Sequence, residues 1–132
     1  MTKSTHTVVG VALTLPLLHV YPFYALVGLV GANIADKDRS IFLKHRGISH
    51  SFMALILTTS IIYYFSYPIA IIYGYNYFIH LILDCCTVTG CPLFLPISKK
   101  YYGFKFMKTG DPLDLFVRLT AVFFIATKFL GK

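Results

Sequence analysis

The sequence is short of charge. Only 13% of its 132 residues are Asp, Glu, Lys or Arg, against roughly 25% in an average soluble domain. So sparse a charged set cannot cover the surface of a water-soluble fold, and the chain reads as one whose solvent is a bilayer. Tryptophan is absent, which leaves any interfacial aromatic belt to ten tyrosines and twelve phenylalanines. Cysteine is scarce and odd in number. Cys85, Cys86 and Cys91 make no disulfide framework, and they lack the C-x2-C spacing of structural zinc sites. They read as small membrane-helix residues. Internal repeats and low-complexity linkers are missing as well. The N-terminal apolar run follows Lys3 as a signal peptide would. No small-residue cleavage site follows it, and Pro16, His19 and Pro22 interrupt it, so it reads as a retained membrane segment.

What remains is apolar and basic. Hydrophobic residues make up 57%, mean hydropathy is +0.71 and the net charge is +7. In a soluble protein such charge would suggest nucleic acid. Here the basic residues fall in short loops between apolar runs, which points to topology and anionic lipid headgroups; no nucleic-acid partner is expected. The length allows one domain, a single integral membrane unit over residues 1–132.

The apolar runs are Thr7–Gly31, Phe52–Tyr73, Tyr77–Pro96 and Leu113–Leu130, separated by the polar stretches Asp36–His50 and Ser98–Asp111. Hydropathy alone gives four spanning helices. The prolines suggest hairpins instead. Leu18-His19-Val20-Tyr21-Pro22 reads as a turn with Pro22 opening a new helix, and Ser66-Tyr67-Pro68 reads the same way, with Gly74-Tyr75-Asn76 as the runner-up turn. Each leg of the first hairpin is 14 residues, or about 21 Å. Folded so, His6, Asp36, Asp38, His45, His50, His80 and Asp84 return to one face, and Asp111 and Asp114 open the last helix there. Four spans would scatter them. That face would also carry Lys3, Lys37, Arg39, Lys44, Arg46, Lys99, Lys100, Lys105 and Lys108, against Lys128 and Lys132 opposite. By the positive-inside rule it is cytoplasmic.

Several groups on that face can do chemistry. His80 and Asp84 have i,i+4 spacing, which on a helix puts both on one side to share a metal or orient each other. A hydrogen-bonded pair inside a bundle is the plainer alternative, but ionisable residues in membrane helices are functional candidates by default. His45 and His50 are too far apart in angle to share a helix face. Gly47 and the Ser49-His50-Ser51 step suggest a loop entering a helix, with Ser49 as N-cap. Arg46 offers a planar fork for phosphate, and an ordinary solvated loop is an equal reading. Asp36-x-Asp38 can bind a divalent ion or pair with Lys37 and Arg39. His19 lies at the opposite turn, apart from the rest. Gly90 and Pro92 end the His80 helix, and Thr87 is placed to support nearby polar groups. Gathered together, histidines and aspartates form the N/O set of a hydrolytic zinc or other divalent site, with one or more ions.

In order, these motifs are Thr5-His6, Asp36-Lys37-Asp38, His45-Arg46-Gly47-Ile48-Ser49-His50-Ser51, and His80-x3-Asp84-x2-Thr87-x2-Gly90. The set resembles the YdjM-like family, small bacterial inner-membrane proteins whose family name also mentions the repressor LexA. They are described as metal-dependent hydrolases distantly similar to zinc-dependent phospholipase C. The resemblance implies His6, Asp36, His45, His50, His80 and Asp84 as ligands or catalytic groups. Ala35 stands where the family usually has proline, and Asp114 where it often has glutamate, which makes Asp114 a further candidate ligand.

The expectation is therefore an all-α, polytopic membrane bundle of four to five helices, two hairpins plus a C-terminal helix, in a bacterial inner membrane. Its function would be metal-dependent hydrolysis of a phosphoester such as a phospholipid. Asp38 or Asp84 would serve as base, and Arg46 with Lys99 and Lys100 would clamp phosphate. The alternatives are a metal-binding or transport protein without hydrolysis and a regulatory membrane protein.

Overall fold

The computed structural model describes residues 1–18, 20, 22–37 and 46–130. His19, Asp38, Lys44 and His45 lie outside the described residues. The architecture is α-helical: α1 (Lys3–Leu18), α2 (Pro22–Gly28), α3 (Gly31–Ile34), α4 (Phe52–Phe65), α5 (Tyr67–Cys85) and α6 (Pro112–Leu130). Both prolines sit at helix starts, as expected. Pro22 opens α2, and Ser66, in extended conformation, separates α4 from α5 with Pro68 in the first turn. Gly74-Tyr75-Asn76 lies inside α5, so the runner-up turn is excluded.

The return leg of the first hairpin is broken into α2 and α3. Both pieces press against α5 closely enough that only glycine fits at the contacts. A Cβ on Gly28 would sit 2.4 Å from Ile72 Cγ2, and one on Gly31 would sit 2.2 Å from the Tyr73 carbonyl oxygen. Small residues at such crossings let backbones touch, a packing mode that needs no bulky core. α6 lies along α1, and α4 lies along α5. After α5 the chain forms no regular element until α6. It is pinned to the end of α5 by Phe104 N–H to the Cys85 carbonyl and by reciprocal Cys91–Tyr102 bonds of 2.8 Å.

The distribution of polarity is inverted relative to a water-soluble fold. Thr5, His6, Asp36, Arg46, His50, Asn76, His80, Asp84, Thr87 and Asp114 are buried. α4 buries none of its residues, and Phe23, Tyr64, Phe65, Phe116, Phe123 and Leu130 are exposed. Yet no helix among the described residues is long and apolar enough to cross a membrane. α5 is interrupted by Asn76, His80 and Asp84, and α6 by Asp114, Arg118 and Lys128. The simple count of four spanning segments therefore has no counterpart in these helices.

Candidate metal centre

The two hairpins bring distant polar residues to one place. His80 and Asp84 sit one turn apart on the inner side of α5. His50 closes the short 3₁₀ turn Ile48–His50 ahead of α4, and Asp36 follows α3. The cap of α4 is Ser51, whose hydroxyl accepts from Ala54 N–H at 3.2 Å. Ser49, the expected cap, lies two residues too early, inside the 3₁₀ turn. Its hydroxyl stands 3.1 Å from His50 Nδ1 instead.

Four atoms converge. His50 Nε2 is 3.5 Å from His80 Nε2 and 3.3 Å from Asp84 Oδ2, and His80 Nε2 is 3.7 Å from that oxygen. Asp36 Oδ1 is 3.7 Å from His50 Nε2 and 3.9 Å from His80 Nε2. The edge of a tetrahedron around zinc, with bonds of about 2.0–2.2 Å, is roughly 3.3–3.6 Å. The observed separations lie at or just above that edge. Asp36, His50, His80 and Asp84 are all buried and can together hold a metal ion.

Hydrogen bonding around the cluster points the same way. His80 Nδ1 lies 2.7 Å from the carbonyl of Ala32 in α3. An Nδ1–H donated there leaves the Nε2 lone pair of neutral His80 facing two carboxylates. Lone pairs aimed at one point require a cation or an added proton between them. A backbone carbonyl orienting the far nitrogen of a histidine is how ligating imidazoles are held. His50 meets part of the need. Burial alone would lower its pKa, but its contacts with Asp36 and Asp84 outweigh that and raise it above the ordinary value. For Asp36 burial acts upward, and His50, His80 and His6 prevail to hold its pKa below the usual carboxylate range.

The remaining candidates take other places. His6 flanks the cluster. Its ring stacks on His80 with centroids 3.9 Å apart, and its Nε2 is 3.1 Å from Asp84 Oδ1. Its buried Nδ1 has no hydrogen-bond partner among the described residues. Asp84 Oδ1 also receives the Met1 amino group. Arg46 is buried and points into the cluster. Its guanidinium donates to Thr87 Oγ1 at 2.9 Å, to the Gly90 carbonyl at 3.0 Å and to Asp84 Oδ1 at 3.3 Å. Thr87 passes the contact on, donating to the Asp84 carbonyl at 2.7 Å. Asp114 stands apart from the four. It accepts from Thr5 Oγ1 at 2.6 Å, Gly110 N–H at 2.8 Å and Thr2 N–H at 3.1 Å, and so ties the start of α6 to the start of α1. Lys99 and Lys100 are exposed. Asp38 and His45 fall outside the described residues. Sequence reasoning missed the Ala32 carbonyl, because backbone groups carry no residue-type signal; Gly28 and Gly31, which flank the break between α2 and α3, were the hint.

A family model, the YdjM inner membrane protein, matches residues 1–131. The chain belongs to the YdjM inner membrane protein family. The match covers every residue of the cluster, and of the motif residues that suggested YdjM, His6, Asp36, His50, His80 and Asp84 lie together. No curated protein and no solved structure matches the chain.

Proposed function

We propose that the protein is a membrane-embedded, metal-dependent hydrolase acting on a phosphoester, with zinc the best-suited ion. The observation that carries this reading is the convergence of one ligand atom each from Asp36, His50, His80 and Asp84 within 4.8 Å of one another, with His80 oriented by a carbonyl. The donor set of two imidazoles and two carboxylates suits zinc. A bound divalent ion supplies Lewis acidity and lowers the pKa of water. The chain supplies the rest. Arg46 and Thr87 fix Asp84, the Ala32 carbonyl fixes His80, and His6 covers one flank. The Nδ1 of His6, which has no partner among the described residues, is a spare polar atom beside the site.

The membrane part of the reading draws support from the family and from the inverted polarity. Exposed apolar surface on the scale of α4 and α6 is unusual on a soluble monomer. Hairpins that enter and return would bring His50 and Asp84 back to one level without any single helix having to cross. Membrane lipids are then the solvent and a phospholipid a natural substrate. A second reading rests on the burial itself. Four protein ligands with almost no exposure resemble a closed, structural metal site, whereas catalytic sites keep one position open. That favours a metal-binding membrane protein without hydrolysis.

The test is elemental analysis of detergent-purified protein prepared without chelator, alongside His50→Ala and Asp84→Ala, followed by phosphoester hydrolysis with and without chelator. Near-stoichiometric metal in the wild type, lost in both variants, with chelator-sensitive hydrolysis, is the expected result. Metal without hydrolysis leaves the second reading. Equal trace metal in all three proteins removes both.

A further inference from the structure

Four ligand atoms this deeply buried need a way in. A cleft of about 350 Å³ opens beside them, lined by Lys3, Thr7, Asn33, Asp36 and Lys37. Two i,i+4 pairs build its walls: Lys3 and Thr7 on α1, and Asn33 and Lys37 on the segment running out of α3. Asn33 Nδ2 donates to Thr7 Oγ1 at 2.9 Å and ties the walls together. Asp36 belongs to both cleft and cluster. Its side chain is 7% exposed, against 0–2% for His50, His80 and Asp84, so the cluster meets the outside at Asp36. Two other cavities are lined almost wholly by apolar side chains, one along Phe52 to Ile97 and one around Val27 and Tyr73.

We propose that this polar cleft is the anion subsite, where Lys3 and Lys37 clamp a dianionic phosphoryl group next to Asp36. The inference rests on the metal-hydrolase reading and names its substrate class. Two exposed ammonium groups match two negative charges as point-charge donors. The volume is at the small end of ligand pockets. It takes a phosphoryl group and a few attached atoms, and leaves any acyl chains outside. An anion placed beside the Asp36 carboxylate is repelled unless that charge is neutralised. Metal held by Asp36 removes the repulsion, so phosphoryl binding depends on metal.

The experiment is calorimetric titration of the detergent-solubilised protein, metal-loaded and chelator-treated. The probes are inorganic phosphate and phosphatidic acid in mixed micelles. Lys3→Gln, Lys37→Gln and the double variant are compared with the wild type, with metal content measured on each sample. The expected result is at least tenfold weaker phosphoryl binding in the double variant with metal content unchanged, and the same loss on chelation. Tighter binding of phosphatidic acid than of phosphate identifies a lipid headgroup, and equal binding identifies a soluble phosphoryl compound. Metal-loaded protein that binds neither probe, or binds both equally well without the two lysines, overturns the subsite while leaving the metal centre standing. Protein that holds no metal overturns both.

Discussion

Gly31→Ala tests whether the crossing of α3 over α5 sets the geometry of the metal centre. The added Cβ would lie 2.2 Å from the Tyr73 carbonyl oxygen and 3.0 Å from its carbon. Both partners are backbone, so no rotamer change relieves the clash. Ordinary contact begins at 3.4 Å, and α3 must therefore retreat by about 1 Å, an overpacking strain of about 1–3 kcal/mol. Ala32 is the next residue, and its carbonyl holds His80 Nδ1 at 2.7 Å. A retreat of that size takes the bond past ~3.5 Å, where it no longer counts. Asp36 is carried by the same segment, and metal–ligand distances tolerate only about 0.2 Å. Loss of an orienting partner typically costs 10–100-fold in metal affinity, so at least that is expected for Gly31→Ala in a competition titration against a chromophoric chelator. Gly74→Ala is the control. Its Cβ would meet only the Thr59 side chain, nearest at 3.0 Å, away from the cluster, and metal affinity should stay within about twofold. Wild-type affinity in a folded Gly31→Ala protein would refute the link between this crossing and the site.

Asp114→Ala should lower thermal stability while leaving metal content intact. It removes the acceptor of the buried Thr5 hydroxyl, at about 1–3 kcal/mol, but none of the four converging atoms; loss of metal from a folded variant would return Asp114 to the ligand set. Metal affinity should rise with pH and level off only above the raised pKa of His50, because the ion must displace the proton that Asp36 and Asp84 stabilise on it. The metal-free protein should show the opposite trend: the His50 contribution is full below the ordinary value of 6.5 and is lost as pH rises through its raised pKa. Affinity that is flat from weakly acidic to weakly alkaline pH would sink the assignment of His50.

Much of the site was legible because helices convert spacing into direction. An i,i+4 His80/Asp84 pair on a helix must share a face, and two prolines at turn positions must send each chain back toward its start. Those two facts suffice to bring Asp36, His50, His80 and Asp84 together across up to 48 residues of sequence. Loops carry no such rule. Arg46 looked outward-facing in the sequence but turns inward, with φ +58°, because Asp84, Thr87 and the Gly90 carbonyl offer it three acceptors that water would otherwise have to satisfy. Asp114 sits at the helix start that polarity assigns it, but the hydroxyl and amides around it use its oxygens before any metal can. The membrane character is the hardest to read from either source. Composition argues for a bilayer, yet no helix among the described residues is long and apolar enough to cross one. The two facts agree if the polar residues that spoil each helix as a span are the ones the bundle needs inside. In a medium that offers no water, a carboxylate and an imidazole lone pair cannot be buried at one point without a compensating charge. The same residues that make α5 a poor membrane span make its inner face a place that could hold a metal ion.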